Sequence, residues 1–297
     1  FAVDMEIVPS KIQLVNISGN TLEGDIFYVK NKINYIESAK IENTSTTIKD
    51  FFQNNSVETK VMNSYYGSDV NTPINLKNEK TIFSDESTIE TAYQYAYEKG
   101  NQKLIDANMV GIPLDTEVKK DGKTISKAET KYDNPVNLLP SSVLSYNMQS
   151  NTPSTEVTYD IYDGKRNLIQ YTTKAGVSTS IIWGYNQTQP IAKIEGAKLS
   201  DITQTLINSI VNASDDTNAN YSESTLLNQL DAFRIALPNF QISTYTYKPL
   251  IGVTTITPPS GIREYYFYDT ANRLESVKTN ENGVLTTLKE YQYHYKP

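Results

Sequence analysis

The feature that most narrows what this chain can fold into is a phrase written twice. "YDGKRNLIQYTTKAG" (Tyr162 to Gly176) and "YDTANRLESVKTNENG" (Tyr268 to Gly283) share one frame. Tyr162-Asp163 aligns with Tyr268-Asp269, and Leu168 and Leu274 each stand six positions after the tyrosine. The closing glycines, Gly176 and Gly283, follow at 14 and 15 positions. A weaker third copy, "YDNPVNL", keeps Tyr132, Asp133 and Leu138 at the same interval. The physical content of the frame is a hairpin. Tyrosine ends one strand, the aspartate carboxylate accepts backbone N–H groups of a tight turn, and leucine opens the returning strand. A lone hairpin is marginal in water, whereas neighbouring hairpins cover each other's edges, so repetition itself stabilises a sheet.

Composition agrees with sheet. The chain has 22 Tyr against 8 Phe and 1 Trp. Tyrosine suits strands whose rings pack on the sheet while their hydroxyls reach water or a backbone group. Over 297 residues, 27 Lys and Arg are scattered among 34 Asp and Glu, giving a net charge of −7. No basic stripe is left to neutralise phosphates, so nucleic acid is not an expected partner. Cysteine is absent, which removes disulfides, thiolate metal sites and thiol nucleophiles together. No apolar run has the length of a membrane-spanning helix. The opening residues "FAVDMEIVPS" carry neither an initiator methionine nor a signal-peptide pattern, which points to a mature chain or, preferably, a fragment of a longer one.

Along the chain, short alternating bursts up to about Ile82 predict antiparallel strands. "SDESTIETAYQYAYEKG" predicts a helix: Ser84 or Asp85 can cap, Ile89, Ala92, Tyr93 and Ala96 fall at helical spacing, and Gly100 is a stop, with continuation through "NQKLIDANM". Asp121-Gly122 between two strand-like runs predicts a two-residue hairpin turn. The segment from about 199 to 238 predicts a helical hairpin, with Ser200 as cap, Ile202, Leu206, Ile207 and Ile210 on one face, and Leu226, Leu227, Leu230, Phe233 and Leu237 on the other helix. The remainder, from Phe240 onwards, is again strand-like. The expected fold is therefore mainly β, a curled antiparallel sheet of Tyr-Asp hairpins with an inserted helical hairpin and one additional helix. Its expected division is a strand-rich part over 1–104 and a repeat domain over 105–297.

The Tyr-Asp turn followed by Asn-Leu or Arg-Leu and a downstream glycine resembles the YD repeat of RHS proteins, whose repeats wind into a long curling sheet. "IIWGYNQTQPIAKIEGA" (Ile181 to Ala197), the helical stretch after it and "TYTYKPLIGVTTITPPSG" (Thr244 to Gly261) resemble the C-terminal part of large exported RHS-repeat-like proteins of Bacteroidetes. The resemblance covers about Ala107 to Pro297. It implies a scaffold or recognition role without catalysis and without a cofactor, and a secreted or cell-surface location reached across the outer membrane of a Gram-negative cell. The partners it implies are the rest of a parent chain or another cell-surface or secretion-system protein, with carbohydrate as a further candidate. RHS proteins that carry toxins end in an Asp-Pro-Xaa-Gly type motif, and this chain has no Asp-Pro dipeptide. A toxin-encapsulating shell is thus an alternative, as is an exported hydrolase using two carboxylates.

His294, the single histidine, alternates with Tyr293 and Tyr295 and reads as a sheet-face residue. "DDTNANYSE" fails as a calcium loop, because an EF-hand aligned on Asp216 would have Tyr221 where glycine is needed and Leu227 where glutamate is needed. Trp183 beside Ile181 and Ile182 reads as core under the helical pair rather than a sugar-stacking platform. "DTA" at Asp269 to Ala271 matches a short O-glycosylation pattern of Bacteroidetes exports, but turn-making is its commoner explanation.

Overall fold

The protein is described from a computed structural model, which covers residues 2–15, 21–34, 44–52, 55–67, 73–216, 223–281 and 283–293. Two compact units are present, Phe1–Thr44 and Ser45–Pro297. In the first, β1 (Ala2–Val15) pairs antiparallel with β2 (Thr21–Asn34).

The second unit is mainly β: one unclosed sheet of 16 antiparallel strands laid down in sequence order. The order runs through β3 (Ser45–Phe52), β4 (Asn55–Tyr65), β5 (Leu76–Ile82), β6 (Thr88–Gln94), β7 (Asp115–Lys120), β8 (Lys123–Lys131), β9 (Ser142–Tyr146) and β10 (Pro153–Tyr162). It continues with β11 (Leu168–Thr173), β12 (Ser178–Gly184), β13 (Gln189–Glu195), β14 (Gln241–Lys248), β15 (Gly252–Thr257), β16 (Glu264–Tyr268), β17 (Leu274–Glu281) and β18 (Val284–Glu290). The helices are α1 (Gln102–Asp106), α2 (Gln204–Asp215) and α3 (Glu223–Ala236). No described helix is long and apolar enough to cross a membrane. The boundary expected between 104 and 105 falls inside this unit, on the β6–β7 connection that carries α1.

One prediction is corrected. Residues 88–94 form a strand between β5 and β7, not the first turns of a helix. Thr88, Ile89, Thr91 and Tyr93 are β-branched or aromatic, and ladder bonds on both sides outweigh an apolar spacing that also happened to suit a helix. Asp85 does accept the N–H two residues on, from Ser87 at 3.0 Å, as a cap would, but within the β5–β6 turn. Helix begins only at α1, where the Asn101 side chain accepts from Leu104 N. The Asp121-Gly122 hairpin forms as predicted, both residues having positive φ.

The helical hairpin also forms, with α2 starting at Gln204, behind a short 3-10 turn over Leu199–Asp201 that takes up the expected cap, Ser200. It covers one face of β12–β14. Ile210, Leu226, Leu230 and Phe233 pack there against Ile182, Ile191, Ile194 and Ile242. Gly184 is a point of close approach: a Cβ there would lie 2.2 Å from Ser214 Oγ of α2. Residues 182 and 184 therefore face the helices, and alternation turns Trp183 away from them. The strand is covered as expected, but Trp183 lies on its other face, half-buried, beside the face that carries Tyr159, Tyr171, Lys193 and Tyr245.

Truncating Phe233 to alanine should cost about 3–5 kcal/mol of unfolding free energy in a urea titration. Ile235→Ala, on the solvent side of the same helix at 79% exposure, should stay within about 0.5 kcal/mol.

Candidate functional site: the repeated turn and its braces

The two strong copies of the repeat fold into the same turn. Asp163 N–H donates to Asn167 O and Arg166 N–H to Asp163 O, at 2.9 and 3.0 Å. Asp269 N–H donates to Arg273 O and Asn272 N–H to Asp269 O, both at 2.9 Å. The fourth residue of each turn is left-handed, Arg166 at φ 70 and Asn272 at φ 60. This is a three-residue hairpin loop closed by a left-handed bulge residue.

Each aspartate then braces its own loop. Asp163 Oδ1 accepts from Lys165 N and Asn167 N at 2.9 and 2.8 Å, and Oδ2 from Asn167 Nδ2 at 3.0 Å. Asp269 Oδ1 accepts from Ala271 N and Arg273 N at 2.8 and 2.9 Å, and Oδ2 from Arg273 Nε at 2.8 Å. The Arg273 backbone N–H, then its guanidinium, hold the Asp269 carboxyl below its usual range.

The flanking residues tie each turn to its neighbours. Tyr162 Oη donates to Pro140 O, and Tyr268 Oη to Val253 O, both at 2.8 Å. Burial pushes the Tyr162 phenol up to about 12. Leu168 O accepts from Trp183 Nε1 at 3.0 Å, and Leu274 O accepts from Tyr293 Oη at 2.8 Å. Asn167 Nδ2 reaches Gln187 O at 3.0 Å, while Arg273 stacks 4.4 Å from the Tyr293 ring, a partner 20 residues ahead in both cases (187 less 167, 293 less 273). Gly176 and Gly283, at φ 78 and 85, provide the left-handed residue of the next turn.

The same backbone turn recurs at Phe83–Ser87 and Thr173–Val177, where Tyr-Asp is absent. The third sequence copy, by contrast, does not make it. Asp133 to Asn137 would need Pro135 at the second central position and Val136 in the left-handed region, and neither residue tolerates its place. Instead Lys103 Nζ donates to the carbonyls of Tyr132, Asn134 and Asn137 at 2.7, 2.6 and 2.9 Å, while Tyr132 and Leu138 pack against Leu104 and Leu114.

The densest charge cluster among the described residues was not legible in the sequence. Asp115 and Glu129 are cross-strand partners on β7 and β8, with side chains 5% and 4% exposed. Lys99 Nζ lies 2.7 Å from Glu129 Oε1 and 3.4 Å from Asp115 Oδ2. Lys131 Nζ and Tyr146 Oη add contacts to Glu129 at 3.0 and 2.6 Å, and Lys127 reaches Asp115 at 3.5 Å. Burial raises the Glu129 carboxyl, but hydrogen bonds from Lys99, Tyr146 and Lys131 outweigh it and hold the group at about 2. A cavity of about 400 Å³ opens beside it, walled by Lys99, Gln102, Thr130 and Lys131. With every oxygen of Glu129 facing a donor, the cluster ties the β6–β7 connection to the sheet. His294 lies outside the described residues, as does most of the α2–α3 connection.

No family model matches the chain, and no curated protein matches it. Among solved structures, the chain is similar to that titled "Crystal Structure of TcdB2-TccC3-Cdc42", at 12% identity and TM-score 0.36 over 80% of this chain and 12% of that one. "Crystal Structure of TcdB2-TccC3 without hypervariable C-terminal region" gives the same values. The Photorhabdus luminescens Tc holotoxin pore with a mutated TccC3 gives 12% identity and TM-score 0.33. This chain spans 12% of the length of each of those chains.

Asp163→Ala should cost about 1–2 kcal/mol, the scale of a lost turn or cap acceptor, read as a shift in urea midpoint, and Asp269→Ala should move the midpoint in the same direction. The Glu129 carboxyl is depressed in the folded state from 4.5 to about 2. Its contribution to stability is therefore present above pH 4.5 and fades as pH falls towards 2; Glu129→Gln should flatten that part of the stability–pH curve.

Proposed function

We propose that this chain is a non-enzymatic scaffold or recognition segment of an RHS-repeat-like protein that is secreted or displayed on a bacterial cell surface. The observation that carries the reading is the use to which the repeated residues are put. Both aspartates hold the N–H groups of their own turns, while Tyr268 holds a carbonyl of the preceding strand and Tyr162 the Pro140 carbonyl just before the preceding strand begins. What the chain repeats is thus the means of adding another hairpin to a sheet, with no reactive group presented. The work of such a segment is rigid display of its tyrosine-bearing face. Its edges are joined to further strands, from a longer parent chain or from another surface or secretion-system protein.

The exported location rests on the resemblance of the Ile181–Ala197 and Thr244–Gly261 blocks, and the alternative of a glycan hydrolase would place two carboxylates beside an open Trp183. The Trp183 indole N–H is instead engaged by Leu168 O. Protease treatment of intact producing cells should remove the chain, and recovery in the cytoplasm would overturn the export reading. Incubation with a polysaccharide panel should release no reducing ends; release abolished by one carboxylate substitution would overturn the non-enzymatic reading.

A further inference from the structure

The outer strands of the 16-strand sheet are β3 and β18. Both strands are long and exposed, eight residues in β3 and seven in β18; each carries a lysine beside a carboxylate, and β18 has a bulge at Leu288. All seven residues of β18 are exposed, Leu288 at 50%, and on β3 Phe51 is 76% and Ile48 48% exposed. Tyr291, next after β18, is 40% exposed, and its N–H donates inward to Glu275 O, so Glu290 turns its own N–H and C=O outward.

We propose that the β18 edge takes up the β3 edge of a second copy of this chain, joining copies head to tail into a longer sheet. The inference rests on the scaffold reading, in which the edges meet further strands, and it names the strand. Each edge carries a basic residue followed by an acidic one, Lys49-Asp50 on β3 and Lys289-Glu290 on β18. Antiparallel pairing reverses one of them. A single register, on the C-terminal side of the Leu288 bulge, sets Lys49 opposite Glu290, Asp50 opposite Lys289 and Ile48 opposite Tyr291. Opposite charges and apolar pairs directly across a ladder are each favourable.

Pairing of either edge with its own copy does not achieve this. Partners across an antiparallel ladder must share a sheet face, so a strand meets its twin with a residue opposite itself or opposite one an even number of positions away. Lys289 can then face Lys289 of the twin but never Glu290, and Lys49 never faces Asp50. Charge complementarity therefore selects the unlike pair of edges. A contact between unlike edges leaves one free edge on every pair, so copies add head to tail into an open row or a closed ring.

The test is light scattering of the 297-residue chain over a range of concentrations, with circular dichroism as a check on folding. The weight-average mass should rise with concentration. K289E/E290K, on exposed positions, should weaken association by at least about tenfold. K49E/D50K should do the same, and an equimolar mixture of the two variants should associate again, since each then offers the other a complementary edge. A monomer at all concentrations overturns the proposal. So does association that K289E/E290K leaves unchanged, which would assign the contact to another surface. Either result leaves the scaffold reading standing, because that reading fails only on cell location or on turnover.

Discussion

Everything in the larger unit depends on the chain's ability to reverse direction within five residues without leaving polar backbone groups unmatched. At Asp163–Asn167 and Asp269–Arg273 the reversal needs one left-handed residue and one acceptor for the loop N–H groups. The left-handed residue is disfavoured for any side chain, and the aspartate offsets it by ordering the loop around its carboxylate. Because each strand pairs only with its neighbours in sequence, most contacts are local, and the sheet lengthens without any long-range crossover.

Tyrosine solves the complementary problem at strand ends. Where a bulge or turn leaves a carbonyl outside the ladder, an aromatic donor from a nearby strand reaches it, as Tyr162 does for Pro140, Tyr247 for Pro190 and Trp183 for Leu168. A phenol can do this while its ring still covers the sheet, which phenylalanine cannot. The excess of tyrosine thus follows from a sheet with many turns and only one locally covered face. Under α2 and α3 the sheet carries isoleucine; on the other face it carries tyrosine and lysine.

Much of this was legible. The hairpin frame, the Asp121-Gly122 turn and the helical pair each rest on interactions within a few residues, and those are encoded locally. Residues 88–94 were not legible, since Ile89, Ala92, Tyr93 and Ala96 satisfy helical spacing while Ile89, Thr91 and Tyr93 satisfy strand alternation. The Tyr132 copy kept its spacing but lost its turn, and the reason, that the turn would force Val136 into a left-handed position, is visible once turn dihedrals rather than letters are compared. The turn at Phe83–Ser87 is the converse: the geometry without the letters. The Lys99–Asp115–Glu129 cluster had no sequence signal, because it depends on the register of β7 against β8 and on how the preceding connection folds back.

By itself the sequence determined that this protein is a succession of antiparallel hairpins with one helical pair laid on the sheet, because turn dihedrals, alternation and helical periodicity act over a few residues. Tertiary structure alone decided which ambiguous segment joined the sheet, which face Trp183 took, and which charges met in the interior. Those outcomes depend on what lies on the adjacent strand, and a neighbour across a ladder is set by register, which no short window of residues contains.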